Sequence, residues 1–162
     1  MDYLPLFHQL TRKKCLVVGG GSVSTRKIRL LIDAKADVTV IAPTLSKELI
    51  ELANAHTITH ISRRFNAGDT HHFVLIVSAC NDKNVNAAVS NEAQQQNIPV
   101  NVVDEPSLCT VIFPAIVDRS PITIAISSGG IAPVLSRLTR GKLETLLPQN
   151  LGNIAKLGKK FR

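Results

Sequence analysis

Gly19-Gly20-Gly21-Ser22-Val23-Ser24 ends an apolar run, Cys15 to Val18, and opens a segment whose apolar residues recur at helical spacing. The six residues fit G-x-G-x-x-G/A with serine in the last place. Gly19 permits the tight turn, Gly21 lets backbone approach a pyrophosphate, and the third position asks only for a side chain small enough for close helix packing. Amides at the start of the following helix would bind the anion. Such a loop holds a dinucleotide; a plain glycine turn is the simpler alternative. About 20 residues further on, an Asp or Glu normally receives the ribose hydroxyls, yet Ile41-Ala42-Pro43-Thr44 contains none. Ribose contacts are therefore expected from backbone near Pro43 and from the Thr44 hydroxyl. A neutral site leaves NAD or NADP open on physical grounds. Arg26 and Lys27 can assist a phosphate or simply sit on a solvated helix face.

A second chemical group is Asp104, which closes the apolar run Ile98 to Val103. At the carboxyl end of a strand it would share a rim with the glycine loop. A partly desolvated carboxylate there, its pKa raised toward neutrality, is suited to accept a proton; by position alone, capping the turn before Pro106 is the commoner role. Ser127-Ser128-Gly129-Gly130 leads to a helix with Pro133 in its first turn, which reads as a cap and turn or as a cradle for carboxylates. His71-His72 are adjacent rather than one helical turn apart, and His8, His56 and His60 are scattered, so no permanent metal site is expected. Cys15, Cys80 and Cys109 are far apart and suggest buried reduced thiols rather than a disulfide framework or a zinc site.

The elements that must position these groups are legible in outline. Strands are expected at Cys15–Val18, Val38–Ile41, Thr57–Ile61, Phe73–Ser78 and Ile98–Val103. Helices are expected at Thr25–Ala34, with Ile28, Leu31 and Ile32 on one face, at Ser46–Ala55, and at Asp82–Gln96, with Val85, Ala88, Val89 and Ala93 as the buried stripe. The continuous apolar run at Phe73–Ser78 belongs inside a parallel sheet. This alternation predicts an α/β chain with a Rossmann-like doubly wound parallel sheet. After Pro106 the pattern changes: strands Val111–Val117 and Ile122–Ile126 flank the turn sequence Asp118-Arg119-Ser120-Pro121, and a helix follows from Pro133 to Leu147. That small α+β segment has too little core to stand alone, and its strands, apolar on both faces, suggest pairing with a second copy. The expected division is 1–113 for a dinucleotide domain, 114–147 for a dimerisation region, and 148–162 for the start of a helical region that continues beyond Arg162.

Composition narrows the class. The chain has 162 residues, 44% of them hydrophobic, enough for one substantial core. No apolar run approaches the roughly 20 residues a membrane span needs, so a cytoplasmic protein is expected. A net charge of +7 calls for a polyanionic partner. With one Tyr, five Phe and dispersed charges, nucleic acid is not that partner.

Taken with Ser78-Ala79-Cys80-Asn81-Asp82, Asn101-Val102-Val103-Asp104-Glu105-Pro106, Phe113 to Pro121 and Ser127 to Arg137, the glycine loop makes the chain resemble a known family. It is similar to the precorrin-2 dehydrogenase/sirohydrochlorin ferrochelatase part of siroheme synthases. The resemblance implies a homodimer that oxidises precorrin-2 to sirohydrochlorin with NAD and then inserts Fe²⁺, a substrate, to give sirohaem. It implies NAD contacts at Ser22, Val23, Pro43 and Thr44, a functional aspartate at Asp104, and a phosphorylated serine at Ser128. Precorrin-2 carries eight acetate and propionate groups, so Ser127, Ser128, Gly129, Arg119 and Arg137, with Arg140 and Lys142, become candidate tetrapyrrole contacts. Where an acidic pair is usual after the fourth strand, Asn81-Asp82 stands here, one carboxylate short. A non-catalytic NAD(H)-sensing dimeric module is the alternative.

Overall fold

The computed structural model describes residues 2–158. Two compact units divide it at Val111/Ile112; the residues through Leu6 cluster with the second.

The larger unit is built on β1 (Lys14–Val18), β2 (Asp37–Ile41), β3 (Thr59–Ile61), β4 (Leu75–Ser78) and β5 (Val100–Val102). All neighbours are parallel, in the order β3-β2-β1-β4-β5. Parallel pairing requires crossovers, supplied by α1 (Ser22–Asp33), α2 (Lys47–Asn54) and α3 (Lys83–Gln95). The expected Rossmann-like sheet is therefore present. β1 and β4 lie at its centre, and every residue of Leu75-Ile76-Val77-Ser78 is buried, as a strand covered on both faces must be. Leu16, Ile76, Val89, Val100 and Val102 form the heart of the core on the α3 side.

The third, fourth and fifth strands are each two or three residues shorter than expected, and two further departures bear on the site. α1 begins at Ser22, three residues before the expected start, so the glycine loop runs directly into the helix with Gly21 as its N-cap. On α3, Ala88 is exposed, and the buried stripe takes in Asn86 and Ser90 beside Val89 and Ala93. Both buried polar side chains have partners: the Ser90 hydroxyl donates to the Leu108 carbonyl at 2.7 Å, and those of Asn86 shape the site below.

The smaller unit contains the antiparallel pair β6 (Ala115–Arg119) and β7 (Ile122–Ile126), then α4 (Pro133–Leu146) and α5 (Leu151–Gly158). Arg119 pairs with Ile122, so Asp118 and Arg119, expected in the turn, are strand residues and only Ser120-Pro121 connect the strands. Opposed residues share a face. One face carries Ala115, Val117, Ile122, Ile124 and Ile126, with Arg119 at its end opposite Ile122; the other pairs Ile116 with Ala125 but Asp118 with Thr123. Neither face of the hairpin is wholly apolar, against the expectation for both: Arg119 ends one face and Asp118 opposite Thr123 interrupts the other. α5 approaches the hairpin so closely that a Cβ on Gly152 would lie 2.2 Å from the Ser120 carbonyl oxygen. The last four residues of the expected C-terminal region, 159–162, lie outside the described residues.

Candidate dinucleotide site

The three consecutive glycines perform three different tasks. Gly19 has φ +120, and a Cβ there would sit 2.4 Å from the Ala79 carbonyl oxygen, so the loop is pressed against the end of β4. Gly20, a position the motif leaves free, is equally constrained: its Cβ would lie 2.1 Å from the Thr44 carbonyl oxygen. Gly21 alone faces open space, with nothing within 4 Å of an added Cβ. The first turn of α1 leaves the amides of Ser22, Val23 and Ser24 without intrahelical acceptors, beside that open face. Ser24 fills the third motif position as expected: it is fully buried, and its hydroxyl donates to the Ala79 carbonyl at 3.3 Å.

Polar contacts couple the loop to the end of β2. The Ser46 amide donates to the Gly20 carbonyl at 2.8 Å, and the Thr25 and Ser46 hydroxyls are hydrogen bonded at 3.0 Å. Pro43 and Thr44 are exposed between these anchors. His60 Nε2 lies 2.9 Å from the Ala42 carbonyl oxygen, and the Ser62 hydroxyl donates to the Pro43 carbonyl at 3.4 Å. A cavity of about 360 Å³ opens here, lined by Pro43, Thr44, Leu45, Ile50, Ala53, Asn54 and His60. It contains no carboxylate, in keeping with a ribose held by backbone and hydroxyl groups.

The end of β4 forms the opposite wall. Ala79 donates its amide to the Val18 carbonyl at 2.8 Å, and the Val103 amide donates to the Ser78 carbonyl at 2.9 Å. The ends of β1, β4 and β5 are thereby held in line, and Asp104 emerges on the rim that carries the glycine loop. Asp104 is exposed and has φ +60, a left-handed conformation in which few residues other than glycine, Asn and Asp are comfortable. Its carboxylate accepts no hydrogen bond among the described residues. The partial desolvation expected of this carboxylate is not supplied by the packing within one copy of the chain. Lys27 is half-buried rather than solvated. Burial first, then Arg26, holds its ammonium below the usual lysine range, while Cys109 and Asp104 act in the opposite direction.

The candidate tetrapyrrole contacts lie in the smaller unit. The Ser127 hydroxyl accepts from the Gly129 amide and the Ser128 hydroxyl from the Ala132 amide, both at 3.0 Å. Gly129 and Gly130 have φ +65 and +85, so the four residues form a tight turn before α4. Arg137 and Lys142 are exposed, whereas Arg140 pairs with Glu144 at 3.7 Å. Arg119 is placed differently from the others: its guanidinium donates to the carbonyls of Asp118 at 2.9 Å and Glu144 at 3.2 Å. Nε of Arg119 is buried without a hydrogen-bond partner among the described residues. Its visible work is to hold the last turn of α4 on the hairpin. The same helix exposes Val134, Leu135 and Leu138, continuing a line begun by Ile131.

Cys15 is fully buried, and burial together with Asp37 pushes its thiol up to about 11; Cys80 and Cys109 are half-buried and all three are free. Among the described residues, no group of three or more His, Cys, Asp and Glu is arranged to hold a metal ion, and no helix is long and apolar enough to cross a membrane.

A family model described as "Putative NAD(P)-binding" matches residues 6–115, and one described as "Sirohaem biosynthesis protein central" matches residues 119–146. The chain is 54% identical over its whole length to a siroheme synthase of Ectopseudomonas mendocina and 52% identical to those of Vesicomyosocius okutanii and Pseudomonas aeruginosa. It spans about a third (35%) of the length of each of these relatives. Among solved structures, "SirC, precorrin-2 dehydrogenase" superposes with a TM-score of 0.79 at 26% identity, covering 95% of this chain and 76% of that one. With the glycine loop, the parallel sheet and a matching family model over most of its length, the chain belongs to the putative NAD(P)-binding family and is a homologue of the siroheme synthases.

Proposed function

We propose that this chain oxidises precorrin-2 to sirohydrochlorin with NAD and then inserts Fe²⁺ to give sirohaem, acting as a homodimer. The observation that carries the reading is the common rim shared by the glycine loop, open at Gly21, and the exposed Asp104, in a chain similar throughout to siroheme synthases.

The residues present fit a dinucleotide. The open face at Gly21 leaves room for a pyrophosphate, and the unpartnered amides of Ser22 and Val23 point a positive helix end at it. Pro43 and Thr44 would receive the ribose by backbone and hydroxyl groups. NAD, when bound, supplies the acceptor for the hydride that leaves the tetrapyrrole. The proton that must leave with it goes to the Asp104 carboxylate, whose exposure in the unliganded chain lets substrate reach it and whose dehydration accompanies substrate binding. Iron entry releases two pyrrole protons, and the same carboxylate is suited to receive them one at a time, Fe²⁺ being a substrate that tolerates oxygen ligands. Ser127, Ser128, Gly129 and Arg137 are assigned to the substrate carboxylates. Phosphate on Ser128 would add about −2 of charge to that turn and repel such a substrate. Support for the dimer comes from the line Ile131, Val134, Leu135 and Leu138, all more than half exposed; burying such a line requires a partner.

The test is spectroscopic. Mixed with precorrin-2 and NAD, the chain should produce the spectrum of sirohydrochlorin, and added Fe²⁺ should convert it to sirohaem. Asp104→Ala should lose turnover at least 100-fold with NAD affinity within twofold. Undiminished turnover in that variant refutes the role of Asp104, and an unchanged spectrum with the wild-type chain refutes the dehydrogenase and leaves the NAD-sensing module.

A further inference from the structure

Asn86 lies on the second turn of α3 and is 5% exposed, a buried amide that the apolar stripe of that helix does not require. Its side-chain oxygen accepts from the Ser78 hydroxyl at 2.7 Å and from the Cys80 thiol at 3.1 Å. Its nitrogen donates to the Cys80 carbonyl at 3.1 Å. Two donors on the oxygen and an acceptor on the nitrogen fix the amide in one orientation. The three bonds strap the segment from Ser78 to Cys80 to α3. This segment is the wall against which the glycine loop is pressed, since Ala79 presents the carbonyl oxygen that meets Gly19 and receives the Ser24 hydroxyl. The other end of the strap reaches the catalytic side, because the Ser78 carbonyl accepts from the Val103 amide, one residue before Asp104.

We propose that Asn86 is a positioning residue that holds the Ala79-Cys80 wall in register with the glycine loop and Asp104, and so sets dinucleotide affinity without touching the dinucleotide. The proposal rests on the dinucleotide reading above. Without the amide, the Ser78 hydroxyl and the Cys80 carbonyl and thiol lose their common partner, leaving Cys80 only the 3.4 Å contact from its thiol to the carbonyl of Asp82, the N-cap of α3. The wall is then held only by the Ala79 amide on the Val18 carbonyl, the Ser24 hydroxyl on the Ala79 carbonyl and the strand pairing of Ser78, and its carbonyl side shifts more readily against Gly19, disturbing the loop that presents Gly21 to the pyrophosphate.

The full chain serves for the test, with NAD as titrant. Asn86→Ala should weaken NAD binding about tenfold, and Ser78→Ala, which removes one of the three bonds, by a smaller factor. Asn86→Asp keeps the acceptor but loses the donor to the Cys80 carbonyl, and should fall with Asn86→Ala. Ser90→Ala removes a buried hydroxyl one turn along the same helix and bonded elsewhere; it should melt earlier with NAD affinity unchanged. A second readout is alkylation of Cys80 followed by mass spectrometry: NAD should slow it in the wild-type chain and much less in Asn86→Ala at equal NAD concentration. NAD dissociation constants within twofold of wild type in folded Asn86→Asp and Ser78→Ala would overturn the proposal. If Ser90→Ala weakens NAD binding as much as Asn86→Ala, α3 acts only through general stability, and the proposal is overturned as well. Failure of the wild-type chain to bind NAD would instead refute the dinucleotide reading itself.

Discussion

Substituting alanine at Gly20 and at Gly21 separates the two roles that neighbouring glycines play in this loop. At Gly20 the added methyl would start 2.1 Å from the Thr44 carbonyl oxygen, 3.0 Å from Leu45 Cδ2 and 3.1 Å from Ala42 Cβ, and contacts under 3.0 Å are essentially never made by a real Cβ. Thr44 or the loop must move by about 0.9 Å, and the obstacle is backbone, which yields poorly. That shift also strains the 2.8 Å bond from the Ser46 amide to the Gly20 carbonyl. Overpacking of this kind costs about 1–3 kcal/mol, and a lost hydrogen bond adds about 1 kcal/mol. Gly20→Ala should therefore lose ~2–4 kcal/mol, which for a chain of this size lowers Tm by about 6–12 °C. At Gly21 a methyl meets nothing within 4 Å and the backbone is extended (φ −86, ψ −173). Gly21→Ala should cost less than about 1 kcal/mol in stability but should lose NAD affinity at least tenfold, because the methyl stands where the pyrophosphate must approach. Differential scanning calorimetry and isothermal titration with NAD measure the two effects independently. Wild-type NAD affinity in Gly21→Ala would refute the placement of the pyrophosphate, and a wild-type Tm in Gly20→Ala would refute the packing argument.

Two further outcomes test the frame around the site. Glu92 accepts hydrogen bonds from the Gly68 amide at 2.9 Å, from the Thr70 amide at 3.1 Å and from the Thr70 hydroxyl; burial pushes its pKa up, but these bonds outweigh burial and hold it below its ordinary value of 4.5. A carboxylate depressed in the folded state stabilises above its unfolded pKa and ceases to do so as pH falls through the folded one. Glu92→Gln should thus melt about 4–9 °C below wild type at pH 7, from the ~1.5–3 kcal/mol of a charge-assisted bond, and the gap should close as pH falls below about 4.5; a gap independent of pH would exclude the charge as its cause. The thiol of Cys15, pushed up to about 11 by burial and Asp37, should resist iodoacetamide at pH 8 in the native chain and react after denaturation. Mass spectrometry should find only Cys80 and Cys109 modified beforehand, and early labelling of Cys15 would contradict its burial in β1.

Much of the fold was legible because a doubly wound sheet imposes strong periodicities. The central strand Leu75–Ser78 is buried on both faces, so it must read as an unbroken apolar run, and its place inside a parallel sheet followed from that alone. Side chains that serve tertiary contacts were harder to see. Asn86 and Ser90 are polar, so an apolar stripe drawn along α3 passed over them and chose Ala88, which is exposed. Arg119 looked like a free cation for an acidic ligand, yet its guanidinium donates to its neighbour Asp118 and to Glu144 at the end of α4, a helix whose docking on the hairpin no local pattern announces.

For the site, sequence by itself determined the kind of chemistry: a glycine loop at a strand-to-helix junction, a second strand lacking its acid, and Asp104 at the end of another strand. These are properties of residue type and spacing along one chain. Tertiary structure decided which glycine does what. Gly20 is indispensable only because the Thr44 carbonyl, 24 residues away in sequence, folds onto it, and Gly21 is free only because nothing does. A motif records spacing along the backbone, whereas steric exclusion depends on what is brought there from elsewhere. That is why the middle glycine carried no weight in the sequence and stands among the most constrained positions in the fold.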